Sequence, residues 1–450
     1  MIFVARRPSS RSFVTPAAAD IPPGLRAAGS ALKVFHAGTH RIRAPEATLA
    51  HVLPLATRMG ITRIGTLTGL DILGIPVCMA CRPNSRSLAV FQGKGLSLAA
   101  AKASALMEAA ETYHAETIKH PLRLADYGEI RAHGAAVDPG LLPRQPVAQA
   151  DPYGRLLWIE GRDLASGVPV WVPYETVGAD YVLPLPHGTD VFAASTNGLG
   201  AGNHILEAVA HGLYEAVERD AVALWRLGGA TARVARRLDP VSITSAPAQD
   251  LITRFERVGI RLALWDATSD IEIPVFVCLA IDDTVAGGAG TDPEFGTGCH
   301  PDREVALLRA ITEAAQARTT FISGARDDFD PTAYDGEARR TRAEVARRWS
   351  AGPASRDWRA APSFAGEEIE HDLAEVLARL RQRGIDRVIW VDLTKPELGL
   401  PAARVVVPGL EPPHQISAIP GLRARRVTEA TAPRREPLMP GTSRLGRASR

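Results

Sequence analysis

The sequence predicts a mixed α/β (α+β) fold, with partly antiparallel sheets packed against helices that carry a Glu-rich face. Three observations lead there. Short apolar, β-prone runs alternate irregularly with Ala-rich helical runs, unlike the regular βαβ rhythm of an all-parallel sheet. Gly and Pro turn signals separate the runs. No shift in composition divides the body of the 450-residue chain, so one large domain accounts for it.

Residues 1–43 cluster Pro, Ala, Ser and Arg without periodicity and are expected to form a loosely ordered lead-in. The opening MIFVARRPSS has too short an apolar stretch for a secretory signal and reads as a frayed terminus. A helix of about twelve residues is expected from near Glu46, ending at Gly60, with a strand from Ile61. TGLDILGIPVCMACRP reads as turn, strand and exit. SLAVFQGKGLS is a strand running into a glycine turn, and LAAAKASALMEAAETYHAETI a long helix. From Arg123 to Asp190 the chain is rich in Pro and Gly, with the short β-like pieces LLWIEGRDL and VPVWVPYE. A glycine loop, FAASTNGLGAGN, delivers the chain to the helix HILEAVAHGLYEAVERDAVALWRL, for which Asn203 is the expected N-cap.

Strands LALWDAT and PVFVCLAID follow, then the GTGCH turn and a third helix, PDREVALLRAITEAAQARTTFI. Residues 325–365 are polar and Arg-rich, a helical excursion. EIEHDLAEVLARLRQRGI is an amphipathic helix leading to the strand RVIWVDLT, and VVVPGL closes a catalytic body drawn as residues 44–420. Residues 421–450 hold eight Arg and two Glu, a net +6 that leaves −4 on the rest, and read as a disordered Arg/Pro-rich tail.

Composition excludes several classes. A net charge of +2 makes no case for nucleic acid, and no apolar run approaches the ~18 residues that cross a bilayer, so a cytoplasmic protein is expected. Four cysteines make no disulfide framework. Cys78 and Cys81 fall on a strand whose period points them to opposite faces, against a zinc or redox pair.

The chemistry lies in three helical runs that repeat one pattern: SALMEAAE, LYEAVER and AITEAAQ. Residues three or four apart share a helix face. Ser104, Glu108 and Glu111 fall within about 60° of one another on the first helix. Taking Glu207 as zero on the second, His211 lies near 40°, Glu215 near 80° and Glu218 near 20°, roughly opposite the apolar stripe. Glu313 and Gln316 are neighbours on the third. Solvated acidic faces usually interleave Lys and Arg; these acids are flanked mainly by Ala, Val and Leu, and Glu215–Arg219 alone sets a Lys or Arg four residues after its acid. Clustered carboxylates raise each other's pKa unless a cation neutralises them, and an oxygen-only set suits Mg²⁺ shared with a nucleotide's phosphates. Familiar nucleotide loops are missing: Gly93–Gly95 is no Walker A, and GLGAGN is not GxGxxG.

GKGLSLAAAKASALMEAAE, STNGLGAGNHILEAVAHGLYEAVERDA and GTGCHPDREVALLRAITEAAQAR resemble, in order, the three signature blocks of YcaO-domain proteins, over roughly residues 45–410. GITRIGTLTGLDILGIPVCMACRPNSRSLAVFQGKG most resembles the TfuA-associated subgroup. The resemblance implies a YcaO-type fold and an ATP- and Mg²⁺-dependent enzyme that phosphorylates a peptide-backbone amide oxygen. By position it implies Mg²⁺ ligands at Glu108, Glu111, Glu207, Glu215, Glu218 and Glu313. By the same resemblance ATP contacts are implied at Ser104, Asn197, Arg219, Gln316, Arg318 and Lys94. The chain lacks the Pro-x-Pro-x-Pro ending of many azoline-forming members, which favours thioamide formation. That reaction would need a TfuA-like partner, a sulfide source and a precursor peptide or protein substrate, and the resemblance also suggests a homodimer. Azoline-forming cyclodehydration is the alternative, and a non-catalytic scaffold of the same fold the alternative of another class.

Overall fold

Among the described residues three antiparallel sheets build the molecule, and each carries a long helix directly on a glycine of its edge strand. The structure is a computed structural model and describes residues 21–146, 151–282, 292–326, 331–413 and 417–431. Helices α1 (Pro23–Ala27) and α2 (Pro45–Val52) lead into strands β1 (Arg63–Thr66), β2 (Val77–Cys81) and β3 (Val90–Lys94), which form the first sheet in the order β1-β2-β3. Helix α3 (Leu98–Glu116) returns across it. Strand β4 (Leu122–Ala125), helix α4 (Tyr127–His133) and strands β5 (Leu156–Asp163), β6 (Pro169–Pro173) and β7 (Leu199–Ala201) begin the second sheet.

After α5 (Ile205–Leu227), α6 (Gly229–Ala235) and α7 (Ala246–Arg257), strands β8 (Ile260–Asp266), β9 (Val275–Asp282) and β10 (Glu294–Cys299) make the third, in the order β10-β9-β8. Helices α8 (Arg303–Ser323), α9 (Gly336–Trp349) and α10 (Ile369–Gln382) follow. Strands β11 (Ile389–Asp392) and β12 (Ala402–Val406) then complete the second sheet as β4-β5-β11-β12-β7, with β6 on β5, and α11 (Leu422–Thr431) closes the described chain. The expected antiparallel character is borne out. Every strand pair among the described residues is antiparallel.

The Ala-rich helix composition has a steric cause. A Cβ on Gly93 of β3 would stand 2.1 Å from the Ala105 nitrogen of α3, and one on Gly296 of β10 would stand 2.1 Å from the Ala310 oxygen of α8. Helix backbone therefore rests on strand backbone, closer than any side chain permits, and each helix holds its acids at a fixed height over a strand edge. Helix α5 packs between sheets: Leu206, Leu213 and Val217 share one core with Val277 and Leu279 of β9 and with Ala403 and Val405 of β12. The expected excursion is helix α9, held by Arg226, which lies 5.1 Å over each of the Phe295 and Trp349 rings.

Cys78 is buried and Cys81 half-buried on opposite faces of β2, as the strand period requires. Three expectations need correction. Helix α5 is capped by His204, whose ring accepts from Leu206 N–H at 3.2 Å; Asn203 lies one residue too early and donates to Glu207 instead. The lead-in is ordered from residue 21: Leu25 and Ala31 are buried, and Lys33 pairs with Asp372 at 2.5 Å. Residues 1–20 lie outside the described residues.

The tail is likewise structured at its start. Arg423 of α11 reaches the fully buried Asp220 at 2.8 Å and Asp270 at 2.6 Å, while Glu411 accepts from the Gly421 and Ala424 N–H groups. Residues 432–450 lie outside the described residues. Burial pushes the Asp220 pKa up even with Arg423 beside it. Arg423→Ala is therefore expected to cost about 3–5 kcal/mol by stranding that carboxylate. Denaturant unfolding checks it, and an unchanged midpoint would return residues 421–431 to a loose tail.

Candidate functional site

Among the described residues each sheet ends on an unpaired edge: β3, β7 and β10 are outermost strands. An open edge exposes N–H groups that need acceptors. Here carboxylates supply them. Gln92 N–H of β3 donates to Glu108 at 3.0 Å, Ala201 N–H of β7 to Glu111 at 2.9 Å, and Thr297 N–H of β10 to Glu313 at 3.3 Å. Gln316 completes the β3 edge by donating to the Gln92 carbonyl at 3.1 Å. The three sheet edges are thereby drawn to one place, and the acids of α3, α5 and α8 face one another there.

Glu218 lies deepest, its side chain 3% exposed, accepting from the Thr297 hydroxyl at 2.6 Å and lying 3.3 Å from Arg219. Glu111, Glu215 and Glu313 keep 13, 20 and 25% of their side-chain surface open, so a solute can reach them. Lys94 pairs with Glu313 at 2.6 Å, and Arg219 approaches Glu215 at 3.7 Å.

Charge is unevenly compensated. Burial drives the Glu108 pKa up to about 7, against the pull of Lys94 and Arg326. Burial also lifts Glu111 well above the usual carboxylate range, with Glu108 and Glu215 adding repulsion, and raises Glu215 despite Arg219. Glu313 goes the other way. Burial alone would raise it, but Lys94 and Arg219 hold it down to about 2. Arg219 is kept above its ordinary value by Glu218, Glu215 and Glu313, which outweigh its burial. His211 stands 4.0 Å from Glu111, yet burial and the nearby Arg309, Arg41 and Lys94 keep its pKa far down, so the imidazole is neutral and the contact is no ion pair.

The excess negative charge faces unpartnered donors and acceptors. Arg404 of β12 is buried and fixed through one N–H to the Ser195 carbonyl at 2.6 Å, and among the described residues its Nε and Nη1 have no partner. Arg309 Nε and Asn197 Oδ1 are also buried and unpartnered among the described residues. Such groups are costly to leave unmet and imply something that meets them. Among the described residues no three His, Cys, Asp or Glu side chains converge closely enough to hold a metal ion by themselves. An oxygen-donor set that is incomplete alone, beside cations with free N–H groups, fits Mg²⁺ bound jointly with phosphate oxygens.

Of the residues expected at the site, Lys94, Glu108, Glu111, Glu215, Glu218, Arg219, Glu313 and Gln316 converge, Ser104 lies one turn from Glu108, and Asn197 enters from the β7 side. Two are engaged differently. The Glu207 carboxylate accepts from Ile42 N–H at 2.6 Å and Asn203 N–H at 2.7 Å, tying the N-terminal segment to α5. Arg318 is buried against Asp71 at 3.2 Å, a core ion pair in this structure. Sequence reasoning missed Gln92, Thr297, Arg309 and Arg404. Two of these carried a signal: Arg309 is i−4 from Glu313, and Arg404 interrupts the apolar run AARVVVP.

A model of the family described as YcaO cyclodehydratase, ATP- and Mg²⁺-binding, matches residues 92–411. The chain is 39% identical over 378 residues to a protein in the tfuA 3′ region of Rhizobium leguminosarum bv. trifolii, covering 82% of this chain and 87% of that one. It is 34% identical over 389 residues to a protein of Methanothermobacter thermautotrophicus, covering 82% and 94%. Among solved structures, YcaO from Methanopyrus kandleri bound with AMPPCP and Mg²⁺ is similar at a TM-score of 0.67 and 25% identity, over 84% of this chain and 94% of that one. A heterocyclase in complex with substrate and cofactor shares the fold at a TM-score of 0.70 and 23% identity, over 85% of this chain and 54% of that one.

Proposed function

Because the chain belongs to the YcaO family of ATP-dependent, peptide-modifying enzymes, we propose that it activates a backbone amide of a ribosomal peptide or protein by O-phosphorylation and installs a thioamide there. The observation that carries this is the convergence of Glu108, Glu111, Glu215, Glu218 and Glu313 from three helices, opposite Lys94, Arg219, Arg309 and Arg404. Bound there, Mg-ATP supplies the phosphoryl group that turns an amide oxygen, otherwise a poor leaving group, into a good one.

The chain's own residues set the conditions for that step. Glu108, Glu111, Glu215 and Glu218 would hold Mg²⁺, with Glu313 drawn toward Lys94. Arg219 and Arg404 would neutralise oxyanions through fixed N–H groups, which act more strongly in a partly dry site than in water. Asn197 and Ser104 would orient the nucleotide. His211, neutral and beside Glu111, adds no competing positive charge at the metal. Glu207 and Arg318, already bonded to protein partners, would act by holding α5 and α8 in position.

The thioamide product, a TfuA-like partner and a sulfide donor are favoured by the relative in the tfuA 3′ region. Mass spectrometry of the peptide product after incubation with the purified protein, partner, sulfide and Mg-ATP tests the reading. A gain equal to sulfur replacing oxygen is expected. Loss of one water instead would assign azoline-forming cyclodehydration, and no change without Mg-ATP binding would assign a scaffold.

A further inference from the structure

Residues Tyr181 to His187, YVLPLPH, are all exposed, although only the histidine can carry charge. Tyr181, Val182, Leu183 and Leu185 leave 37, 47, 78 and 37% of their surface in water. Single exposed apolar residues are ordinary, but a contiguous run marks a contact surface.

This run is not a frayed loop. Tyr181 N–H donates to the Arg86 carbonyl at 3.1 Å, and Arg86 pairs with Asp180 at 2.8 Å. At the far end Leu157 N–H donates to the Gly188 carbonyl at 3.0 Å, and the Glu175 carboxylate accepts from the N–H groups of Asp190, Val191 and Phe192. Gly188 packs on Leu124 of β4, so the exposed Leu122 and Leu124 continue the strip. Such pinning keeps apolar side chains in solvent that would otherwise fold inward, and a surface already ordered loses little entropy on binding.

The strip also leads into the site. A few residues on, Ser195 holds Arg404 and Asn197 offers its unpartnered Oδ1; the Tyr181 phenol lies within electrostatic reach of Arg404. We propose that Tyr181, Val182, Leu183 and Leu185, with Leu122 and Leu124, dock an extended apolar stretch of the substrate peptide flanking the amide that reacts. The proposal rests on the amide-activating function and names the side-chain chemistry it selects. Tyr181 is the end of the strip nearest Arg404, and between the Arg86–Asp180 pair and His187 the strip offers apolar contact alone.

The test is fluorescence anisotropy with labelled Gly-Ser host peptides, one carrying a central Leu-Val-Leu, read on the full chain and on Leu183→Asp and Val182→Asp. Both side chains already face solvent, so the variants should fold. The wild type should bind the apolar peptide and not the host, and each variant should weaken it about tenfold or more with Mg-ATP affinity unchanged. Equal binding of the two peptides, or a variant that keeps the apolar one, overturns the docking surface alone. A variant that instead abolishes self-association with peptide affinity intact assigns the face to a second copy and overturns it too. A wild type that binds no Mg-ATP overturns the amide-activating function beneath it.

Discussion

Glu108→Gln should melt at a higher temperature than the wild type at pH 8 in metal-free buffer, and should lose ATP turnover by about 10²–10³-fold. Both effects come from one carboxylate. In the fold burial holds the Glu108 pKa near 7, whereas the unfolded chain returns it to its ordinary value of 4.5. Between those two values the folded protein keeps a proton that the unfolded chain releases, so stability falls as pH rises through that window and stays low above it. The difference amounts to about 3 kcal/mol at pH 8. Glutamine keeps the acceptor for Gln92 N–H and carries no charge, so it recovers that loss. Below pH 4.5 Glu108 is protonated in both states and the advantage disappears. Thermal unfolding at pH 8 and pH 4 measures the first effect, and steady-state phosphate release the second. A variant less stable than the wild type at pH 8 would mean that Glu108 is a structural acceptor and nothing more.

Arg404→Leu should show the same trade with the opposite charge. The guanidinium is buried in an apolar strand, burial lowers its pKa, and two of its N–H groups have no partner. A shorter apolar side chain removes an unmet buried cation, and relief of that cation offsets the space it leaves. Turnover should nonetheless fall about 10²–10³-fold, because the donors aimed at the site are gone. Arg404→Lys should not restore it, since an ammonium cannot reproduce the fork that reaches Ser195 and the site together. Turnover of Arg404→Leu within a few-fold of wild type would remove this residue from the site.

Both expectations describe strain stored for function: acids and bases are held apart from full compensation so that a charged ligand can complete them. This also explains how far the sequence could be read. The three blocks were legible because their spacing is local: Glu108 and Glu111, Glu215 and Glu218, and Glu313 and Gln316 each share one helix face, whatever the tertiary fold. Their flanking glycines read as turns, whereas Gly93 and Gly296 lie within strands β3 and β10, under helix backbone.

Long-range partners were not legible. The segment around Lys33 looked unstructured because its anchors, Asp372 and Glu207, are distant in sequence. The start of the tail looked disordered because its Arg excess masked one residue, Arg423, whose partner Asp220 sits in the second block. Arg318 matched a family position by spacing, but its buried neighbour Asp71 comes from a turn that no periodicity links to α8. The meeting of three sheet edges belongs to topology, which local pattern does not encode.

The central claim is that the acids at the meeting of β3, β7 and β10 await a magnesium-bound nucleotide. Calorimetric titration of AMPPCP with Mg²⁺ at pH 7, repeated in two buffers of different ionisation enthalpy, tests it most directly. Because burial holds the Glu108 pKa near 7 and raises those of Glu111 and Glu215, binding should require Mg²⁺ and expel protons, and Glu108→Gln should release fewer. Binding that is indifferent to Mg²⁺, with no proton release in either protein, would contradict the account.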